Sequence, residues 1–200
     1  MIPRHLKISL GIFIAATLFT TGYVWWVRRH AAKTPLTSTA ELQKQVSPPL
    51  PTATEHVVLY VADDARGVLT REDETIALPA DPAARARELL RALLGRYTIP
   101  NSSHPLPSNA EIVEAYLVQG NLAVVNMNSA FADSHRSGVL VEELTVLSLV
   151  QTLAANIPNI MEVKILVDGK ERETLAGHAD LSNFYDTAVV GKVIDQLQNR

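Results

Sequence analysis

Residues Val139 to Leu181 constrain the fold more than any other part of this chain. A helix is expected from about Gly138 to Asn156. Leu140, Leu144, Leu147 and Gln151 follow one helical row, and Val146, Val150, Leu153 and Ile157 follow its neighbour. So wide an apolar face implies burial against a sheet. Glu142 and Glu143 within the helix, and Pro158 at its end, argue that this segment is a core helix and not a membrane span. Next comes a strand, Val163–Val167, with Val163, Ile165 and Val167 facing inward. Asp168-Gly169 is a hairpin signal, which predicts a returning strand over Glu171–Leu175.

The region before this stretch supplies more elements of the same domain. Val57–Val61 is a β-branched and aromatic run expected of a strand, and Val68–Leu69 and Thr75–Leu78 read as two weaker strands. Asp81 followed by Pro82 punctuates a helix start. Ala86, Leu89, Leu90, Leu93 and Leu94 then form its buried face, and Gly95 reads as its C-terminal cap. The loop from Tyr97 to Asn109 is polar and proline-bearing, and His104 within it reads as exposed. Ile112–Val118 and Leu122–Met127 flank a turn in which Gly120 and Asn121 are expected to take positive φ. The stretch 183–200 reads as a tail able to form a short amphipathic helix.

The N-terminal quarter has a different character. Ile8–Val27 is uncharged and mostly apolar. At about 1.5 Å per residue such a run spans roughly 30 Å, the thickness of a hydrocarbon core. Arg4 and Lys7 precede it, Arg28, Arg29 and Lys33 follow it, and Trp25-Trp26 sits where an interfacial aromatic belt belongs. No small-x-small cleavage site follows at once, so residues 1–30 are expected to be a cytoplasmic stub and a retained signal anchor. Residues 31–55, with Pro35, Pro48, Pro49 and Pro51, read as a flexible linker. The folded domain is expected over residues 56–182.

Composition narrows the chemistry. A net charge of -3 argues against a nucleic-acid binder, and the absence of cysteine excludes disulfides and thiolate sites in this sequence. There is no Gly-x-Ser-x-Gly elbow, no phosphate-binding Gly-rich loop and no His-Glu-x-x-His helix. Asp168, His178 and Ser182 can be assembled into a nominal triad, but their spacing offers no nucleophile turn. Asp63-Asp64 and Glu72-Asp73 read as solubilising turn residues. Asn126, Asn128 and His178 are the candidate contacts for a ligand or partner. The competing reading is that the asparagines satisfy backbone groups and that His178 shapes a turn.

Several phrases resemble one known family. These are Gln151-Thr152-Leu153, Val163 to Lys170 and Leu175-Ala176-Gly177-His178-Ala179-Asp180-Leu181, with Leu59-Tyr60, Leu89–Leu94, Val124-Val125-Asn126 and Phe131 upstream. They look like the GerMN domain of sporulation and spore-germination proteins, over roughly Val57 to Leu181. The resemblance implies a small α+β domain, two helices packed on a mainly antiparallel sheet. Here it would follow one transmembrane helix and a flexible linker. It also implies residence outside the cytoplasmic membrane and no catalytic residues or cofactors. The expected protein is a single-pass membrane protein whose C-terminal domain acts as a non-enzymatic interaction module for envelope proteins. The alternative is a module that binds peptidoglycan glycan, and a third reading is an envelope hydrolase.

Overall fold

The computed structural model describes residues 54–199 and Trp25. Apart from Trp25, the expected span Ile8–Val27 and linker residues 31–53 lie outside the described residues, while Thr54 and Glu55, placed in the linker by sequence, open the first strand. The chain divides into two units, residues 1–50 and 51–200, and the second is described below.

The second unit is an α+β domain. Strands β1 (Thr54–Asp63) and β2 (Val68–Ala77) form a ribbon, followed by helix α1 (Pro82–Tyr97). Strands β3 (Ile112–Val118) and β4 (Leu122–Met127) form the predicted hairpin, and helices α2 (Ser129–Asp133) and α3 (Val139–Asn156) follow. Strands β5 (Glu162–Val167) and β6 (Tyr185–Asp186) and helix α4 (Thr187–Gln198) complete the domain. The stretch 183–200 thus contributes β6 and α4, and Val190 and Ile194 of α4 are buried in the common core.

The strand pairing is mainly antiparallel, as expected, but the single sheet is corrected. There are two sheets: the antiparallel β1–β2 ribbon, and a four-stranded sheet in the order β3-β4-β5-β6. Within the latter, β4 and β5 run parallel, and the other two pairings are antiparallel. A parallel pair needs a long crossover, and α2 with α3 supplies it. The parallel register sets Ala123 beside Val163, Val125 beside Ile165 and Met127 beside Val167. All six are buried, so one apolar face runs across both strands. Among the described residues there are four helices: the two expected core helices, the short α2, and α4 within the stretch read as able to form an amphipathic helix.

Other differences have local causes. The two weak strands around residues 68–78 are one ten-residue strand, paired with β1 along its whole length. Its charged run Arg71-Glu72-Asp73-Glu74 disguises the strand, but charge is how an edge strand resists pairing with another chain. Helix α1 passes through Gly95 to Tyr97 and is capped by Thr98, whose amide donates to the Leu94 carbonyl. Tyr97 is buried and holds that extra turn. In the β3–β4 turn the positive-φ residues are Gln119 and Gly120, one position earlier than expected. At Asp168-Gly169 the turn forms, with Lys170 N donating to the Val167 carbonyl at 3.0 Å. The predicted strand over Glu171–Leu175 does not form. After one bridge the chain leaves the sheet, and β6 takes the edge of β5 at Glu162 and Val163. Glu171, Arg172 and Glu173 offer no apolar face to that edge.

Helix α3 is the organising element. Among the described residues it is the helix long and apolar enough to cross a membrane. It packs instead against β1, α1 and α4. It also closes the free edge of β1. Val58 N donates to Asn156 Oδ1 at 2.9 Å, and Tyr60 N to Thr152 Oγ1 at 3.0 Å. Ala62 N donates to the Tyr97 hydroxyl of α1 at 2.9 Å. Side chains thus replace a third strand, as partly buried backbone groups require. Asn156 Nδ2 returns a bond to the Val58 carbonyl at 2.7 Å. Asn156→Ala would strand both backbone groups, and a loss of about 2 kcal/mol is expected by denaturant titration.

Candidate functional site

The start of α3 builds an unusual loop anchor. Glu142 lies in the first turn, yet its side chain is wholly buried. Its Oε2 accepts from the amides of Ala176, His178 and Ala179 at 2.9–3.0 Å. Its Oε1 accepts from Gly138 N at 3.0 Å and takes His178 Nδ1 at 2.9 Å. Burial works against ionisation, but these bonds, with His178 first among them, outweigh it and hold the carboxyl well below the usual carboxylate range. The loop that wraps the carboxylate includes Gly177 at φ +118, a conformation that L side chains rarely adopt.

This anchored loop forms one end of a cleft of about 330 Å³ between α3 and α4. Val146 and Leu147 of α3 and Val190 of α4 line it and are almost fully buried. At its mouth Val139 is 64% exposed and Val189 55% exposed, so apolar surface continues outward from the cavity. The polar lining comes from Glu143, His178, Asp180 and Tyr185. The Tyr185 phenol is pushed up to about 12, by burial first and then by the charges of Asp180 and Glu143. Both carboxylates therefore act on one point of the cleft.

Of the three residues singled out from sequence, His178 lines this cleft. The asparagines serve the backbone elsewhere. Asn126 Oδ1 accepts from Gly169 N at 2.7 Å, fixing the Asp168-Gly169 turn. Asn128 caps α2 by accepting from Phe131 N, accepts from Glu111 N and donates to the Asn109 carbonyl at 2.7 Å. The nominal triad is not assembled. Asp168 accepts from Ser129 N, and the Ser182 hydroxyl donates to Asp180. A second hydroxyl, Ser137 Oγ, lies 3.3 Å from His178, but at Nδ1, the nitrogen already bonded to Glu142. A relay needs the acid and the nucleophile on opposite nitrogens.

The polar centre that sequence reasoning missed lies in the core. His104, expected to be exposed, has no exposed surface. Its Nδ1 lies 2.6 Å from Asp64 Oδ1 and its Nε2 lies 2.7 Å from Thr145 Oγ1. Thr145 also contacts His135 Nε2 at 2.8 Å and donates to the Val141 carbonyl at 2.9 Å. Arg136 pairs with the other Asp64 oxygen. Asp64, read as a solubilising residue, is thus the terminus of a buried chain. Burial pushes His104 below its usual range and Asp64 opposes the shift. His135 is lowered too, again chiefly by burial. The order acid, imidazole, hydroxyl imitates a catalytic relay, but Thr145 is completely buried inside α3, beyond the reach of a substrate carbonyl. The network ties the β1–β2 turn, the loop after α1 and the α2–α3 connection to α3. Its signal was invisible because the linked residues are 40 or so positions apart. Among the described residues, no three His, Asp or Glu side chains converge to hold a metal ion.

The comparisons agree with this architecture. The tandem GerMN domains of the sporulation protein GerM from Bacillus subtilis superpose with a TM-score of 0.51 at 17% identity. That match covers 67% of this chain and 46% of the tandem structure, so this chain spans less than half of it. The first GerMN domain of the same protein matches at 19% identity and a TM-score of 0.45, over 64% of this chain and 93% of that one. Among curated proteins none matches. The model of the Germane family, described as sporulation and spore germination, matches residues 58–173, more than half of the chain. This chain belongs to the Germane family.

Proposed function

We propose that this chain is a non-enzymatic interaction module, held at the outer face of the cytoplasmic membrane, that helps assemble or stabilise an envelope complex serving sporulation or germination. The observation that carries this reading is the cleft between α3 and α4, an apolar cavity whose valine rim stays exposed. Apolar surface kept open to water beside an ordered polar rim is the usual form of an interaction site. The non-enzymatic part is supported by the hydroxyl–imidazole contacts of Thr145 and Ser137, since Thr145 is sealed in the core and Ser137 shares the wrong nitrogen of His178. The membrane part is supported by the length and flanks of Ile8–Val27. The family description supplies the cellular setting.

The test uses the full chain in its own membranes. Val189→Glu adds a charge at an exposed rim position and should leave the thermal transition within about 0.5 kcal/mol of the parent. A partner co-purifying with the parent protein should be lost, with at least a tenfold drop in recovery. Unchanged recovery would remove the cleft from the account. Sedimentation of the purified chain with peptidoglycan, unaffected by the same substitution, would favour the glycan reading instead. A reporter fused after Arg200 that works only in the cytoplasm would overturn the location.

A further inference from the structure

We infer that the α3–α4 cleft receives an apolar anchor side chain standing next to a lysine or arginine on a segment of a partner protein. This rests on the reading of the cleft as the interaction surface and adds the chemistry of its occupant.

Two properties of the cleft choose that chemistry. The first is shape. Its volume of about 330 Å³ lies near the bottom of the roughly 300–1,000 Å³ typical of small-molecule sites. A small molecule filling it would leave the outer faces of Val139 and Val189 wet. A protein segment that inserts one side chain and lies across the mouth covers both, as buried anchors at interfaces do.

The second is charge. Glu143 lies on the same helical stripe as Val139 and Val146 and makes no ion pair among the described residues. Asp180 lines the same cleft and is bonded only to neutral donors: Ser182 N at 2.7 Å, Ser182 Oγ and Asn183 Nδ2 at 2.7 Å. Lys164 contributes some field at Asp180. Its ammonium, however, is held by the Leu181 and Ser182 carbonyls and by Glu171 at 3.3 Å. Lys192 of α4 is exposed but does not line the cleft. Tyr185, whose hydroxyl donates to the Asp180 carbonyl, titrates late through its burial first and then through the charges of both carboxylates. An apolar cleft lined by two carboxylates that no cation pairs with directly among the described residues attracts a cation beside the anchor and repels an acidic segment.

The probe is a pair of fluorescent eight-residue peptides, each with two central leucines, one flanked by lysines and the other by glutamates. A third peptide keeps the lysines and replaces the leucines with serines. The full chain, in a neutral detergent, carries a benzophenone amino acid in place of Val189, and crosslinking yield is read on gels. The lysine–leucine peptide should crosslink at least fivefold above both others. Glu143→Gln with Asp180→Asn should cut that yield about fivefold, and raising salt to 1 M should do the same by screening. Leucine-dependent crosslinking that ignores the flanking charge and the double substitution overturns the cationic occupant while leaving the interaction surface intact. Yield no higher with leucine than with serine overturns both. Micelle partitioning cancels between the parent and the double variant, which meet the same lysine–leucine peptide in the same detergent.

Discussion

Glu142→Ala is expected to destabilise the domain by about 4 kcal/mol. Five donors converge on this one buried carboxylate: four backbone amides and the His178 ring. Bonds to a charged acceptor are each worth about 1.5–3 kcal/mol, they are not additive, and the donors left behind have little water to turn to. At about 2–4 °C per kcal/mol for a domain of this size, the melting temperature should fall by roughly 10 °C. Glu142→Gln keeps the shape but turns an NH2 group toward one set of donors, so about half the loss is expected. The pH dependence has a definite sign. The folded-state pKa is depressed below the reference 4.5, so the unfolded chain binds the extra proton. The stability Glu142 contributes is therefore present above about pH 4.5 and is lost as pH falls below it. The Gln variant should show a shallower acid limb in a thermal series. An unaltered acid limb would mean that the carboxylate is not the anchor described. The same variants should loosen the cleft mouth, because His178 and Ala179 line it and hang from Glu142.

His104→Ala is expected to lower stability by about 3 kcal/mol. The ring fills core volume beside Tyr97, with centroids 4.8 Å apart, so its removal opens a cavity. It also strips Asp64 and Thr145 of a partner at 2.6 and 2.7 Å. Tyr97 supports the edge of β1 through Ala62, so damage should reach the ribbon. Hydrogen exchange should show faster exchange at Ala62 in this variant than in the parent. A loss under about 1 kcal/mol with unchanged exchange would reduce the buried network to an incidental contact.

What sequence made legible, and what it did not, follows from the range of the interactions. Helix α1 was readable because Asp81, Pro82 and the leucine stripe are local signals, and α3 because its periodicity is strong. The inward face of β5 was readable by alternation. The parallel partner of β5 was not, since alternation names a face and not a neighbour. Asp168-Gly169 made the expected turn, but a turn signal does not ensure that the following residues suit the edge it offers. Glu142 looked like an ordinary first-turn acid, and its role appears only when residues 176–179 fold back onto it. The resemblance to GerMN domains rested on core and turn phrases, which is why it carried the family and left the working surface unmarked. Val139 and Val189 are placed at one cleft only by the packing of α4 against α3, which no local pattern announces.

The central claim, that the cleft is the surface through which this domain works, is tested most directly by photocrosslinking in intact cells. One full chain carries the reactive residue at Val189, at the cleft mouth, and another at Arg71, exposed on β2. The account predicts a discrete envelope-protein adduct from position 189 that is absent from position 71 and is lost when Val139→Glu is added on the opposite wall. The same adducts from both positions, or none from position 189, would contradict it.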